Sequence, residues 1–350
     1  MFSDYFLLIL QKQHPIPRIK FNCFREYLSM EKIIDPVDRD LIMRELTHDK
    51  LLRHANKGGN EVYVVDAFNA PSVMKEIGRL REIAFRDAGG GTGLECDIDE
   101  FDTMEPPCQQ LVVWDPLDRE IVGGYRFILG ENIKFKNGVP NIATSHMFGF
   151  SKQFLDELLP NTLELGRSFV ATSYQSTKSH SKALYVLDNL WDGLGALTVI
   201  YPQIKYLFGK VTMYPSYGTE CRDLLLGFLH KYFHDPEKLV WPIEELPNNA
   251  KSDEVQSIFT GESFKEDYKI LNHIIRTHGQ NIPPLVNAYM SLSPTMKVFG
   301  TAINHEFGDV EETGIFFKIS EIFEEKKRRH IQTFMDSGSD ELTADSPHLS

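Results

Sequence analysis

From Leu163 to Val170 (LELGRSFV) the chain alternates in the two-residue rhythm of a strand. Ala183, Leu187, Leu190 and Leu194 then recur at helical spacing, with Leu184 and Trp191 beside them. Tyr206 to Met213 returns to a short apolar strand. Two strands joined by a crossover helix are expected to lie parallel, with a right-handed connection. The first strand is odd for a core strand, because simple alternation puts Glu164, Gly166 and Ser168 on one face. Polar groups and a glycine there predict that something docks against the backbone.

Elsewhere the pattern predicts a mixed set of elements. Asp35 to His48 has the look of a short helix and Glu61 to Asp66 of a strand. Val73, Ile77, Leu80 and Ala84 mark an amphipathic helix that enters through Pro71-Ser72 and stops at Gly89-Gly90-Gly91. Gln110 to Asp115 and Ile121 to Ile128 form a hairpin across Pro116-Leu117-Asp118. Past the central unit, Cys221, Leu224, Leu225 and Phe228 mark a helix, and Asn248 to Asp253 reads as a polar linker. Tyr268 to Ile275 and Leu285 to Met290 read as helices, Gly314 to Ile319 as a closing strand, and Glu324 to Arg329 as a charged helix end. Strands and helices interleaved around one sheet make the fold class α/β. Residues 30–330 are expected to form the folded unit. Residues 1–29 differ in character from the rest of the chain, as an extension or a start codon placed too far upstream. Residues 331–350 read as a disordered tail by composition.

Composition narrows the class. Hydrophobic residues make up 42% and charged residues 25%, ordinary for a globular protein. The apolar run near the start, Tyr5 to Leu10, is too short for a secretory core, and no segment approaches the ~18–20 apolar residues of a membrane span. Four scattered cysteines without a C-x-x-C fit a reducing compartment, so a cytoplasmic location is expected. A net charge of −13 argues against nucleic acid as a partner. Between Arg167 and Lys210 the sign reverses locally, with Arg167, Lys178, Lys182, Lys205 and Lys210 against Asp188 and Asp192. A basic region on an acidic body would steer an acidic partner to one face.

Several motifs carry chemistry only weakly. Gly89-Gly90-Gly91-Thr92-Gly93 comes after a helix instead of opening one, so a helix cap with a flexible loop is the better reading than a phosphate cradle. Asp97, Asp99, Glu100 and Asp102 crowd four carboxylates into six residues. They fail as a calcium loop, because Asp102 and Cys108 stand where a glycine and a glutamate are needed. A D-x-D metal site and a solvated turn both remain open at this point, although no bound metal is expected. Arg126 shares a strand face with Gly124 and is expected to pair with Asp99 or Glu164. His230 and His234 are spaced as metal ligands but have no third partner nearby in the sequence, and read as surface histidines.

Taken in order, IGRLREIAFRDAGGGTGLECDIDEFD, QQLVVWDPLDREIVGGYRF, ELGRSFV and IPPLVNAYMSL form a succession that resembles the N-acyltransferases of ornithine- and glycine-based aminolipids. These belong to the broad acetyltransferase-like (GNAT) superfamily and are related to acyl-homoserine lactone synthases. The resemblance spans roughly residues 60–320. It implies a GNAT-like α/β fold with a mixed central sheet, flanking helices and an extended C-terminal half. The implied reaction moves a long, often 3-hydroxylated, acyl group from acyl-carrier protein to the α-amine of glycine or ornithine. The donor would be the carrier's phosphopantetheine thioester, with no tightly bound cofactor, and contact with membranes would be peripheral, through the product.

The resemblance also gives the site residues roles. An ammonium cannot attack a thioester, so a carboxylate must take its proton, and Glu164 is the candidate. Asp99 and Arg126 would complete the catalytic network, and Ser168 would donate a hydrogen bond from the Glu164 face. Asp97 would help to attract the acceptor. Arg167, Gly166, Val170, Lys178 and Trp191 are expected to contact substrate. Gly166 would ease a bend that exposes backbone N–H groups to the oxyanion. Tyr174 or Tyr185 could protonate the departing thiolate. The segment before the crossover helix, Tyr174 to Ser181, has no glycine to wrap a pyrophosphate, which favours carrier protein over free coenzyme A. Two rivals remain: a lactone-forming synthase, and a non-catalytic module that binds acyl-carrier protein or lipid.

Overall fold

The structure, a computed structural model, describes residues 30–175, 180–260 and 263–341. Eight strands make one sheet: β1 (Leu51–His54), β2 (Glu61–Val65), β3 (Gln109–Asp115), β4 (Glu120–Leu129), β5 (Thr162–Val170), β6 (Tyr206–Met213), β7 (Lys297–Asn304) and β8 (Val310–Lys318). Their spatial order is β1-β2-β3-β4-β5-β6-β8-β7. Every neighbouring pair is antiparallel except β5 and β6, the pair joined by the crossover helix. The α/β class, the GNAT-type sheet and the parallel pair match the expectation from the sequence.

Helix α1 (Arg39–Glu45) sits on the first part of the sheet beside α2 (Pro71–Ala88), which packs Val73, Met74 and Ile77 onto Val65, Val112 and Trp114. On the opposite face α4 (His180–Ile200) buries Val186, Leu190, Leu194 and Leu197 against Leu111, Tyr125 and Val122; the short α3 (Glu100–Thr103) lies before β3. The α4 seam therefore runs one residue before Leu187, which is only half-buried. Gly193 lets the helix close onto the sheet, since a Cβ there would meet a Leu111 methyl at 2.7 Å. Helices α5 (Thr219–Phe233), α6 (Phe264–Thr277) and α7 (Pro284–Met290) extend that layer over the C-terminal half of the sheet. Under residues 130–160 lies a third core, rich in phenylalanine: Phe148, Phe154, Phe208, Phe299 and Phe316.

The strand expected over Gly314 to Ile319 is present as part of the longer β8, Val310–Lys318, which lies between β6 and the unpredicted β7. One expectation is corrected: regular structure does not end at residue 331. The chain stays helical from Glu324 to Glu341, and its buried His330 pairs with Asp192 of α4 at 2.7 Å. Residues 1–29 and 342–350 lie outside the described residues. No helix among the described residues is long and apolar enough to cross a membrane.

Candidate active site

The site begins where two strands part. β5 and β6 are in register only from Thr162–Tyr206 to Leu165–Gly209. Gly209 stands at the fork because its backbone presses on β5; a Cβ there would lie 2.5 Å from the Leu165 carbonyl oxygen. Beyond it β5 carries one extra residue against β4, the pairing jumping from Arg126–Gly166 to Gly124–Phe169. This is a β-bulge, and it turns the strand away from its parallel neighbour. The residue that takes the left-handed conformation is Arg167 (φ +49°), directly after Gly166.

The bulge also reverses the side-chain alternation. Leu163 and Leu165 face the α4 layer, but Phe169 packs beneath α2 with Val112 and Trp114. Ser168 therefore does not share the Glu164 face; its hydroxyl meets the buried Tyr125 on the other side. Both faces still open into the same space, because the parted strands leave a cavity of about 340 Å³ running through the sheet. Its polar wall includes Glu164, Arg126, Arg167, Lys210 and Glu312, and its apolar wall Trp191, Leu207, Leu285, Tyr289 and Phe317.

Glu164 is 4% exposed and accepts a 2.8 Å hydrogen bond from Thr144 Oγ1. Burial pushes its carboxyl above the usual range, while the Thr144 bond, Arg126 and Lys210 pull it back. It is thus a carboxylate primed to hold a proton. Replacing Thr144 with valine removes a donor that favours the ionised form. If Glu164 is the base, Thr144→Val moves the acid limb of the pH–rate profile to higher pH. An unmoved limb would mean that another group sets it.

The acidic cluster has different work from that expected. Asp99 caps α3 by accepting from the N–H of Phe101 at 2.9 Å and Asp102 at 3.2 Å. The same carboxylate takes Arg126 Nη1 at 2.6 Å and Arg167 Nη2 at 3.4 Å. Against the penalty of burial, these two guanidiniums hold Asp99 well below the usual carboxylate range. Asp97 is fully buried and paired with Arg167 Nε at 3.0 Å. Burial raises it, against the pull of Arg167. Asp102, also fully buried, faces Arg81 and Arg126, each at 3.3 Å, and accepts from Gln110 at 2.9 Å. Arg81, Arg126 and Arg167 thus answer Asp97, Asp99 and Asp102. This corrects both the expectation that Asp97 and Asp99 attract the acceptor ammonium and the D-x-D alternative. The pair anchors Arg126 and Arg167 behind the bulge, and Arg167 is further held over the Phe307 ring at 4.3 Å.

Other expected residues scatter. Trp191 lines the cavity and meets Tyr289 edge to face at 5.9 Å. Val170 lies outside it, paired with Gly123 at the far end of β5. Neither Tyr174, whose hydroxyl donates to Asp118, nor the exposed Tyr185 lines the cavity. Lys178 lies outside the described residues. Lys205 is exposed, but Lys210 stands in the cavity wall with its side chain 9% exposed and so is no docking surface. The glycine run does cap α2, with Gly89 at φ +97°, yet the loop after it is tied down. Buried Glu82 accepts from Thr92 N at 3.1 Å, Thr92 Oγ1 at 2.8 Å and Gly93 N at 2.8 Å, which ties the loop back to α2. His234 is exposed, whereas His230 is half-buried. Sequence reasoning missed Thr144, Tyr289 and Glu312. None of the three left a local signal: Glu312 stands between Glu311 and Thr313 at the polar start of its strand.

A family model described as an acetyltransferase (GNAT) domain matches residues 80–184. The chain is 61% identical over 314 residues to a glycine N(alpha)-acyltransferase of Bacteroides thetaiotaomicron, covering 89% of this chain and 93% of that one. It is 59% identical over 307 residues to a glycine N(alpha)-acyltransferase of Phocaeicola vulgatus, covering 87% and 94%. Among solved structures, a CoA-dependent acyl-homoserine lactone synthase, BjaI, with SAM and isopentyl-CoA, aligns over 83% of this chain and 96% of that one, at 11% identity and a TM-score of 0.34.

Proposed function

The chain belongs to the glycine N(alpha)-acyltransferase family, acyltransferases built on a GNAT domain, and from that membership we propose that it joins a long acyl chain, delivered as the thioester of acyl-carrier protein, to the α-amine of glycine. The observation that carries this reading is a buried carboxyl, Glu164, at the fork of two parted strands, in a cavity that is polar on one side of the sheet and apolar on the other. In the proposed reaction the glycine ammonium loses a proton to Glu164, directly or through one water, and the free amine attacks the thioester carbonyl. The N–C bond forms, the C–S bond breaks, and the thiolate leaves with the second proton shed by the nitrogen, while Glu164 passes the first to solvent. Backbone amides on the parted edges of β5 and β6, which have no strand partner in each other beyond Leu165 and Gly209, are available to the oxyanion.

Two features favour glycine over ornithine. A δ-ammonium would need a carboxylate of its own, yet Asp102 is committed to arginines and Glu100 does not line the cavity. The remaining lining carboxylates are Glu164 and Glu312, the latter already facing Lys210. The acyl chain would run along Tyr125, Trp191, Leu285 and Tyr289. There the buried Tyr217 hydroxyl, without a hydrogen-bond partner among the described residues, supports a 3-hydroxylated chain. Support for a carrier-protein donor is the absence of glycine from Tyr174 to Ser181.

The test is purified protein with acyl-carrier thioester or acyl-coenzyme A of one chain length, with and without a 3-hydroxyl, and single amino acids, read by mass spectrometry. N-acylglycine from the carrier thioester is expected. N-acylornithine in its place would overturn the acceptor, and equal use of coenzyme A would overturn the donor.

A further inference from the structure

We propose that Lys210 is the carboxylate clamp of the acceptor, a subsite that holds the acceptor's α-carboxylate while Glu164 faces its amine; this rests on the amino-acid acyl transfer proposed above. Three cationic side chains line the cavity: Arg126, Arg167 and Lys210. The two arginines are matched, together with Arg81, by Asp97, Asp99 and Asp102. Lys210 differs. Its side chain is 9% exposed, and its ion-pair partner, Glu312 Oε1, stands 3.9 Å away, beyond hydrogen-bond reach. Among the described residues its ammonium makes no hydrogen bond. Glu312, itself 4% exposed and accepting from Asn304 at 3.3 Å, offsets the charge without using the donors. Three N–H donors are therefore left for something that enters the cavity.

Placement fits a small amino acid. Glu164 is in register with Phe208, and Lys210 comes two residues later on the same face of β6. Past the fork at Leu165 and Gly209 the strands no longer pair, and the gap between the Glu164 carboxyl and the Lys210 ammonium, both in the cavity wall, can take a molecule whose amine and carboxylate are separated by one carbon. Electrostatics point the same way. Once the amine has given up its proton, the bound acceptor carries a net negative charge in a buried site, and an adjacent cation stabilises it. Burial pulls the Lys210 ammonium below its ordinary range, with Glu312 opposing, so an arriving carboxylate also helps Lys210 to stay charged.

Glycine and glycinamide distinguish a clamp from a structural lysine, because both carry the amine and only one carries the carboxylate. Wild type is expected to prefer glycine in kcat/KM. Lys210→Met should raise the KM for glycine roughly 10–100-fold, the scale of a lost hydrogen bond to a charged group. The KM for the acyl donor should stay put and the glycine-to-glycinamide ratio should fall towards one. Lys210→Arg should restore part of the preference. If Lys210→Met keeps the wild-type ratio, or if Lys210→Arg restores none of the preference, the clamp is overturned while the acyl transfer stands. If wild type acylates no α-amino acid, the functional reading falls and the clamp with it.

Discussion

Glu164→Gln is expected to slow acyl transfer by about 10²–10⁴-fold, the range a positioned general base supplies. Glutamine is nearly isosteric, and its carbonyl oxygen can still accept from Thr144, so the cavity wall survives the change. What disappears is the capacity to take the amine's proton. The pH–rate profile should lose the limb that wild type owes to this group. Stability should move in the opposite direction to activity. Burial raises the Glu164 carboxyl above its unfolded value of 4.5, so its favourable contribution is complete below that value and is lost as pH rises through the higher folded one. At neutral pH the variant should therefore melt no lower than wild type, with any advantage shrinking in acid. A rate within a few-fold of wild type, or a slow variant with an unchanged pH profile, removes Glu164 as the base.

The parts of this fold legible in the sequence are those set by local period. The β3–β4 hairpin, the α2 helix with its glycine stop and the parallel β5–β6 pair around α4 are all set by spacing and turn chemistry. Glu164 was legible for a related reason: a carboxylate among apolar neighbours on a core strand needs an explanation. The bulge was not, because the left-handed residue is an arginine, and nothing local marks Arg167 as the point where alternation slips. That one residue sent Ser168 to the wrong face. β7 escaped because Gly300, at φ +97°, interrupts its alternation. The acidic cluster was visible as a cluster, but its partners come from α2, β4 and β5, and only the closed fold brings them together. Lys210 shows a different failure. Counting it with Lys178 and Lys205 as a surface stretch ignored its own strand, where period two sets it beside Phe208 and Thr212.

Asp102→Asn is expected to cost about 3–5 kcal/mol of stability, the penalty for breaking a buried ion pair from one side. Asp102 is fully buried and shared between Arg81 and Arg126, while it also receives the Asp99 N–H at 3.1 Å. An asparagine keeps the shape but leaves two buried guanidiniums answered by one charge fewer. Arg81 is fully buried, its Nε without a hydrogen-bond partner among the described residues, and has no route to solvent. With unfolding entropies of roughly 2 cal/mol/K per residue, a chain of this length should lose about 4–7 °C in melting temperature. The control is Glu100→Gln in the same acidic run: its side chain is 61% exposed and meets His146 at 3.9 Å, so its change should stay within about 0.5 kcal/mol. The two variants remove the same formal charge two residues apart. Equal melting temperatures would mean that the acidic run acts through surface charge, and that Arg81, Arg126 and Asp102 do not anchor the wall behind Glu164. A large loss at Asp102 alone places the stabilising work of the cluster in its buried pairs. In that case activity in the surviving folded fraction should also fall, because Arg126 and the bulge at Arg167 lean on the same network.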